Sequence, residues 1–300
     1  MLPVALSVTL LSINLSRSLS VHVTDENGKP LPGVKVNIEF EISTANGSPF
    51  TTVSKITNGD GDVAATGLGT SVGYSISISG YYRSVADSGD AKAVVAILKT
   101  IDNPKPMYAR YISYRDMIFP SDGRPYSYDL VAGDWLPPLG HGSTPDFTFQ
   151  VTGSQQIVKN QDNELKLTFA NPDDGIQAIA VVETESALRL PKLAPETGYQ
   201  NQWTWHSVIR PDETSDKYII PSEANRAYFF RVRSKRDHSG NIVALYGKIS
   251  HDLNYGIARS NQMCIQMASY YLNPDGTRTM EFDVSKNLAT GSSAAAVREP

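Results

Sequence analysis

Five histidines, His22, His141, His206, His238 and His251, are the residues of this 300-residue chain best suited to hold a metal or move a proton. Zinc hydrolases set two ligands at a fixed short spacing, as in H-E-x-x-H, so that both imidazoles reach one ion. Reading forward from each histidine finds neither that pattern nor H-x-x-E. A serine hydrolase needs a nucleophile on a strained elbow of the G-x-S-x-G type. The nearest stretch, Gly140-His141-Gly142-Ser143, is flanked by Pro137, Pro138 and Pro145 and reads as a plain loop. The single cysteine, Cys264, sits among Met263, Ile265 and Met267, which suits a small buried hydrophobe better than a reactive thiolate. Asn58-Gly59-Asp60-Gly61-Asp62 spaces oxygen side chains as calcium loops do. Counted from Asn58, however, Val63 stands where the loop needs glycine and Gly69 where it needs glutamate, so a tight turn is expected. A carboxylate pair for glycoside hydrolysis would come from Glu183, Glu185, Asp212 or Glu213, and sequence does not fix the separation that chemistry requires. No catalytic residue, metal ligand or cofactor site is assigned.

Binding chemistry is better represented. In Tyr199-Gln200-Asn201-Gln202-Trp203-Thr204-Trp205-His206 the two tryptophans lie two apart, so on a strand they share a face beside three amide side chains. A sugar ring wants an apolar surface to stack on and hydrogen bonds around its edge. Trp203, Trp205, Tyr199 and Trp135 are therefore the candidate ligand-binding residues, with carbohydrate as the ligand class. The competing reading puts both tryptophans in the core, where large aromatics mostly go. The one basic run, Arg231-Val232-Arg233-Ser234-Lys235-Arg236, reads as a strand with its charges on one solvated face, an anion or acidic-polysaccharide site being the alternative. A net charge of -4 argues against nucleic acid or anionic membrane as partner.

These side chains must be carried by strands, because no amphipathic pattern of ten or more helical residues occurs. Alternating apolar runs predict strands at Phe147-Phe149-Val151, Leu165-Leu167-Phe169, Ile176 to Val182, Tyr228-Phe230-Val232, Val243 to Ile249, Cys264 to Tyr271 and Thr279-Glu281-Asp283. Turns are expected at 171–175, 237–241 and 273–277. Residues 107–142, rich in tyrosine, proline and glycine, have long-loop composition. Asp102-Asn103-Pro104-Lys105-Pro106 breaks regular structure and marks a boundary, beyond which lie twelve of the fifteen tyrosines and all three tryptophans.

The N-terminal region has a more particular pattern. Val23-Thr24-Asp25-Glu26-Asn27-Gly28-Lys29-Pro30-Leu31-Pro32-Gly33-Val34-Lys35-Val36 turns at Asn27-Gly28 and enters a new alternating strand, Val34-Val36-Ile38-Phe40. It is followed by the turn at Asn58-Gly59, the Gly67-Leu68 step, the strand Tyr74-Ile76-Ile78 and Gly80-Tyr81. This series resembles the carboxypeptidase-regulatory-like modules, transthyretin-like sandwiches, over about residues 18 to 100. The resemblance implies a Greek-key β-sandwich with a structural or interaction role, and it does not imply peptidase activity. An extra polar loop, Ser43 to Pro49, departs from the pattern. Tyr246 to Ile249, Tyr270 to Pro274 and Glu281 to Asp283 are similar to the C-terminal part of uncharacterised exported bacterial proteins, which brings no activity.

The expected architecture is all-β: an N-terminal Greek-key sandwich at 18–100, a linker at 101–106, a larger β-rich domain at 107–289 and a disordered tail at 290–300. Residues 1–17 read as a signal peptide whose apolar middle is Val4 to Leu11 and which lacks a basic start. The apolar run Leu2 to Leu15 is too short to span a bilayer. One cysteine suits bacterial export. The reading is a secreted, periplasmic or surface protein that is structural or interacting, with carbohydrate binding as the alternative and a polysaccharide-active enzyme as a distant third. Its expected partners are an envelope protein or a carbohydrate.

Overall fold

Alternation of apolar and polar side chains builds the first of two units. In β1 (Ser16–Asp25), Leu19, Val21 and Val23 point inward, and in β2 (Lys35–Glu41), Val36, Ile38 and Phe40 do the same. The computed structural model describes residues 16–43, 47–89, 91–156, 160–181, 186–209, 225–259 and 261–300. The expected signal segment lies almost wholly outside them, as do Val182, Glu183, Glu185, Asp212 and Glu213. The chain divides into residues 1–100 with 184–187, and 101–183 with 188–300.

In the first unit β3 (Phe50–Ile56), β4 (Asp62–Leu68), β5 (Ser71–Ile76), β6 (Ser84–Asp87) and β7 (Ala93–Leu98) complete two sheets, ordered β4-β1-β7 and β3-β2-β5-β6. One core joins them, with Leu19, Val21, Ala96 and Leu98 from the first sheet against Ile38, Phe40, Tyr74 and Ile76 from the second. The turn after β1 is held by Asp25 Oδ1, which accepts from the Asn27 and Lys29 N–H groups. Asn58 Oδ1 accepts from the Asp60 and Asp62 N–H groups, so this oxygen closes a turn. Gly61, at φ +79°, could not be replaced freely, because a Cβ there would lie 2.6 Å from Val23 O. Beyond β6, Ser186 bridges Ser84 and the Ala187 N–H donates to Arg83 O.

The second unit begins in the segment expected to be loop. It instead forms β8 (Tyr108–Ile112), β9 (Met117–Pro120), β10 (Tyr126–Asp129) and the two-residue β11 (Asp134–Trp135). These strands are so short, and their turns so close, that the proline and glycine of the turns mask them in the composition. Next come β12 (Phe147–Gln156), β13 (Asn160–Thr168), β14 (Gly175–Ala180), β15 (Gln202–Ile209), β16 (Arg226–Arg236) and β17 (Ile242–Ile249). The set ends with β18 (Asn254–Arg259), β19 (Gln262–Gln266) and β20 (Ala268–Asn273). The single strand expected from Cys264 to Tyr271 is broken between β19 and β20, where Ala268 takes φ 49°. Thr279 to Asp283 makes isolated bridges, Thr279 to Leu193 and Phe282 to Lys105, and no strand.

Two five-stranded sheets, β11-β10-β12-β13-β15 and β14-β16-β17-β20-β8, share one core with the three-stranded sheet β18-β19-β9. Phe147, Phe149 and Leu167 meet Tyr228, Phe230 and Leu272 there, with Phe119 and Met263 from the small sheet. The other face of β16 is covered too: Ala227 and Phe229 pack with Leu190, Ala194, Tyr246 and Met280. Burial on both faces explains the unbroken apolar run Ala227-Tyr228-Phe229-Phe230.

The ends of this unit are tied down, which corrects two expectations. Residues 101–106 are no free linker, because the Glu281 carboxylate accepts from the Asp102 and Asn103 N–H groups. Residues 290–300 are no disordered tail. Ser292–Ala295 forms α1, Arg110 Nη1 donates to Thr290 O at 2.7 Å, and Val297 packs with Met107, Tyr271 and Phe282. The alanine run lacks aromatics of its own, and of its three alanines only Ala294 is buried.

The basic run of β16 is also not one solvated face. Pairing with β17 slips between Val232 and Lys235, and Arg233 adopts φ 57°. The Asp174 carboxylate receives the Arg233 and Ser234 N–H groups freed by this bulge. The Arg233 guanidinium bonds both oxygens of Asp146 at 2.8 Å and Asp129 Oδ1 at 2.9 Å. The two carboxylates are 0% and 4% exposed. Asp129 also accepts from the Val131, Ala132, Ser143 and Thr144 N–H groups. Burial pushes the Asp129 carboxyl up, but those N–H groups with the Arg233 charge outweigh it, and the pKa lies below 3.8. Burial wins at Asp146, whose pKa is raised despite Arg233.

Removing one partner from a buried ion cluster strands the others, so Arg233→Met is expected to cost about 3–5 kcal/mol in urea unfolding. A change under about 1 kcal/mol, the range of surface pairs, would show the cluster to be inert. Because the folded pKa of Asp129 is depressed, its stabilisation is complete above pH 3.8 and is lost as pH falls through the lower folded value. Asp129→Asn should therefore lower stability at neutral pH and flatten the acid limb below pH 3.8 in pH-dependent melting.

Candidate functional site

Strand β15 decides the fate of the tryptophans. It pairs with β13 so that Trp205 opposes Leu165 and Trp203 opposes Leu167, which puts both rings on the inward face. Trp205 is 2% exposed and its Nε1 donates to the Tyr228 hydroxyl at 3.1 Å. Trp203 is half-buried, 5.7 Å from the Tyr228 ring. Trp135, 5% exposed, packs edge-on to Tyr128 at 5.3 Å. The expected aromatic binding patch is thus corrected: Trp205 and Trp135 are core, and the half-buried Trp203 has no second exposed tryptophan beside it. Tyr199 alone of the four goes elsewhere.

The groups considered for catalysis are also placed. His141 is 99% exposed, while the Ser143 hydroxyl donates to Asp129 Oδ2. Cys264 is buried, which pushes its thiol pKa up. Ser250 Oγ lies 2.9 Å from His251 Nδ1, but Asp252 turns into the core, where it accepts from the hydroxyl of Tyr228. Among the described residues no three His, Cys, Asp or Glu side chains gather to hold a metal ion. No described helix is long and apolar enough to cross a membrane.

What the second unit does assemble is an open cleft of about 640 Å³ on the outer face of β16 and β17. Arg231 and Arg236 enter it from β16, Tyr246 from β17, Tyr199 from the segment before β15, and Arg278 from the turn after β20. The Arg231 guanidinium lies over the Tyr199 ring, 4.7 Å from its centroid, and its Nε donates to Asp173 O. Arg278 Nη1 donates to Ala194 O at 2.9 Å. Arg236 alone of the three meets a carboxylate, Asp173, at 2.6 Å. Arg231 and Arg278 are thus oriented by carbonyl oxygens, and among the described residues neither forms an ion pair with a carboxylate. Burial raises the Tyr199 phenol well above its ordinary pKa, while Arg231 and Arg278 pull it the other way. The hydroxyl stays neutral and donates to Pro195 O.

Tyr199 and Arg231 were named from sequence for other reasons. Tyr246 and Arg278 were missed as cleft residues, because no spacing in the chain links positions 199, 231, 246 and 278. Only the β16–β17 pairing and the return of the chain after β20 bring them together.

No protein-family model and no curated protein matches the chain. Among solved structures, a streptococcal ancillary pilin matches over 50% of this chain and 53% of its own length, at 13% identity and a TM-score of 0.22. The chain thus spans about half of that pilin. A DUF3823 family protein from Parabacteroides merdae overlaps 77% of this chain and 95% of its own, at 10% identity and a TM-score of 0.21. The shaft pilin of Lactobacillus rhamnosus GG overlaps 84% and 94%, at 10% identity and 0.21. At such TM-scores these overlaps carry no argument.

Burial of Trp205 gives a direct expectation. Trp205→Ala should cost about 3–5 kcal/mol in denaturant unfolding, as large core truncations do. Unchanged stability would return this tryptophan to the surface.

Proposed function

We propose that this chain is a non-catalytic exported protein that works by binding, its first unit a carboxypeptidase-regulatory-like structural module and its second unit the ligand-holding part. The observation that carries this reading is the make-up of the cleft wall. Guanidinium groups keep their protons throughout the physiological range, so they hold and orient charge and do not relay protons. Among the described residues that line the cleft Glu196 is the one carboxylate, and glycoside hydrolysis of the usual kind needs two. The carboxylates that gather elsewhere, Asp129 and Asp146, are engaged by Arg233 and by loop N–H groups, and serve the framework.

Export is supported by composition. A β-sheet protein with one buried cysteine needs no disulfide staple and suits a bacterial envelope or surface. The two-sheet packing of the first unit, with its turns at Asn27-Gly28 and Asn58-Gly59, supports the structural role assigned to it.

Incubating the full chain with a panel of chromogenic glycosides and peptide esters should release no product above buffer. Turnover that disappears in Glu196→Gln would overturn the binding-only reading.

A further inference from the structure

The geometry points to a carboxylated sugar, the uronic acid unit of an acidic glycan, as the ligand of the Arg231–Arg278 cleft. This rests on the reading of the second unit as a binding domain and names what it binds. Three features of the cleft converge on it. The first is charge with a shape. Arg231 uses Nε on Asp173 O, which leaves its two Nη groups as an end-on fork matching the two oxygens of a carboxylate. Arg278, fixed through Nη1, supplies a second guanidinium in the same cleft that pairs with no described carboxylate.

The second feature is an aromatic floor. The Tyr199 and Tyr246 rings lie 6.3 Å apart and inclined at 58°, and both belong to the apolar cluster beneath the cleft. Tyr246 is 7% exposed and Arg231 covers one face of Tyr199, so the part of this floor open to a sugar ring is the uncovered part of the half-buried Tyr199. The third feature is rim groups suited to hydroxyls. Asn241 donates its Nδ2 to Asp237, which directs its amide, and Glu196 is an exposed acceptor. The volume, about 640 Å³, lies within the usual range of small-ligand sites.

An acidic peptide fits less well. Peptides that dock on β-proteins commonly add a strand to a free edge. Here β14 covers β16 over Arg226–Arg231 and β20 covers β17 over Tyr246–Ile249, so the open edge is confined to the short ends Val232–Arg236 and Ile242–Leu245.

The test is calorimetric titration of the full chain with oligogalacturonate, its methyl ester, a neutral cello-oligosaccharide, a heparin-derived oligosaccharide and polyglutamate. Oligogalacturonate should bind, more weakly as salt rises, and the methyl ester and the neutral oligomer should bind at least tenfold more weakly. Arg231→Gln and Arg278→Gln should each lose at least tenfold, while Lys235→Gln, on the same strand outside the cleft, should be unchanged. Thermal melting checks that the variants fold. If one does not, the comparison of acid with ester on the unaltered chain decides the matter. Equal binding of acid and ester, or no binding, overturns the inference and leaves the non-catalytic reading standing. Tighter binding of the heparin-derived oligosaccharide makes the anion a sulfate, and tighter binding of polyglutamate makes the ligand a peptide; either overturns it. Shortening of oligogalacturonate during the titration overturns the non-catalytic reading instead.

Discussion

One arginine ties the two large sheets of the second unit together. Arg233 belongs to β16, while Asp129 ends β10 and Asp146 leads into β12 on the opposing sheet. Burying two carboxylates against one cation is normally a poor source of stability, since desolvation can exceed the Coulombic gain. It is tolerable here because the carboxylate oxygens are supplied with further donors from the loop between β10 and β12. The same loop N–H groups would otherwise be unsatisfied at the edge of the core. The cluster thus organises residues 129–146 as well as the sheet pair, and it makes a proline- and glycine-rich segment into a defined element.

The bulge that aims Arg233 also separates it from the two arginines of the cleft. In strict alternation Arg233 would follow Phe229 and Arg231 onto the outer face of β16. The left-handed residue and the slipped register turn it toward the Asp129–Asp146 pair instead. Arg231 stays outside, stacked on Tyr199, and Arg236 returns to the cleft beyond the bulge. Three arginines within six residues therefore have different work: one is structural, one is charged and unpaired by any described carboxylate, and one is tied to Asp173 at the rim. A backbone φ available to few residues other than glycine is maintained by the Asp174 side chain, which takes up both N–H groups that the bulge releases.

Much of this was legible in the sequence, and the failures have physical causes. Strands with clear alternation, such as Phe147-Phe149-Val151 and Val36-Ile38-Phe40, stand where the pattern put them, because one buried face dictates a period of two. The all-β class follows from such strands and the turns between them. The short strands β8 to β11 were hidden because two to five residues are too few to show a period. The tryptophans of β15 obeyed alternation, but alternation does not say which face is buried; the pairing with Leu165 and Leu167 does. The Arg233 bulge left no trace in composition, since its cause lies in Asp129, Asp146 and Asp174, far away along the chain. The alanine-rich C-terminus was misread because its order comes from Arg110, Tyr271 and Phe282 and not from its own residues.

The cation–carboxylate contact across the sheets, and not the mere presence of polar side chains, orders the loop and sheet pair of the second unit. A double-mutant cycle on Arg233 and Asp146, with Arg233→Met, Asp146→Asn and the pair compared by equilibrium unfolding, measures that contact alone. The account predicts strong coupling, up to about 3 kcal/mol, so that the double variant is more stable than the sum of the single losses allows. Losses that add to within about 0.5 kcal/mol would show the two residues to act independently and would contradict it.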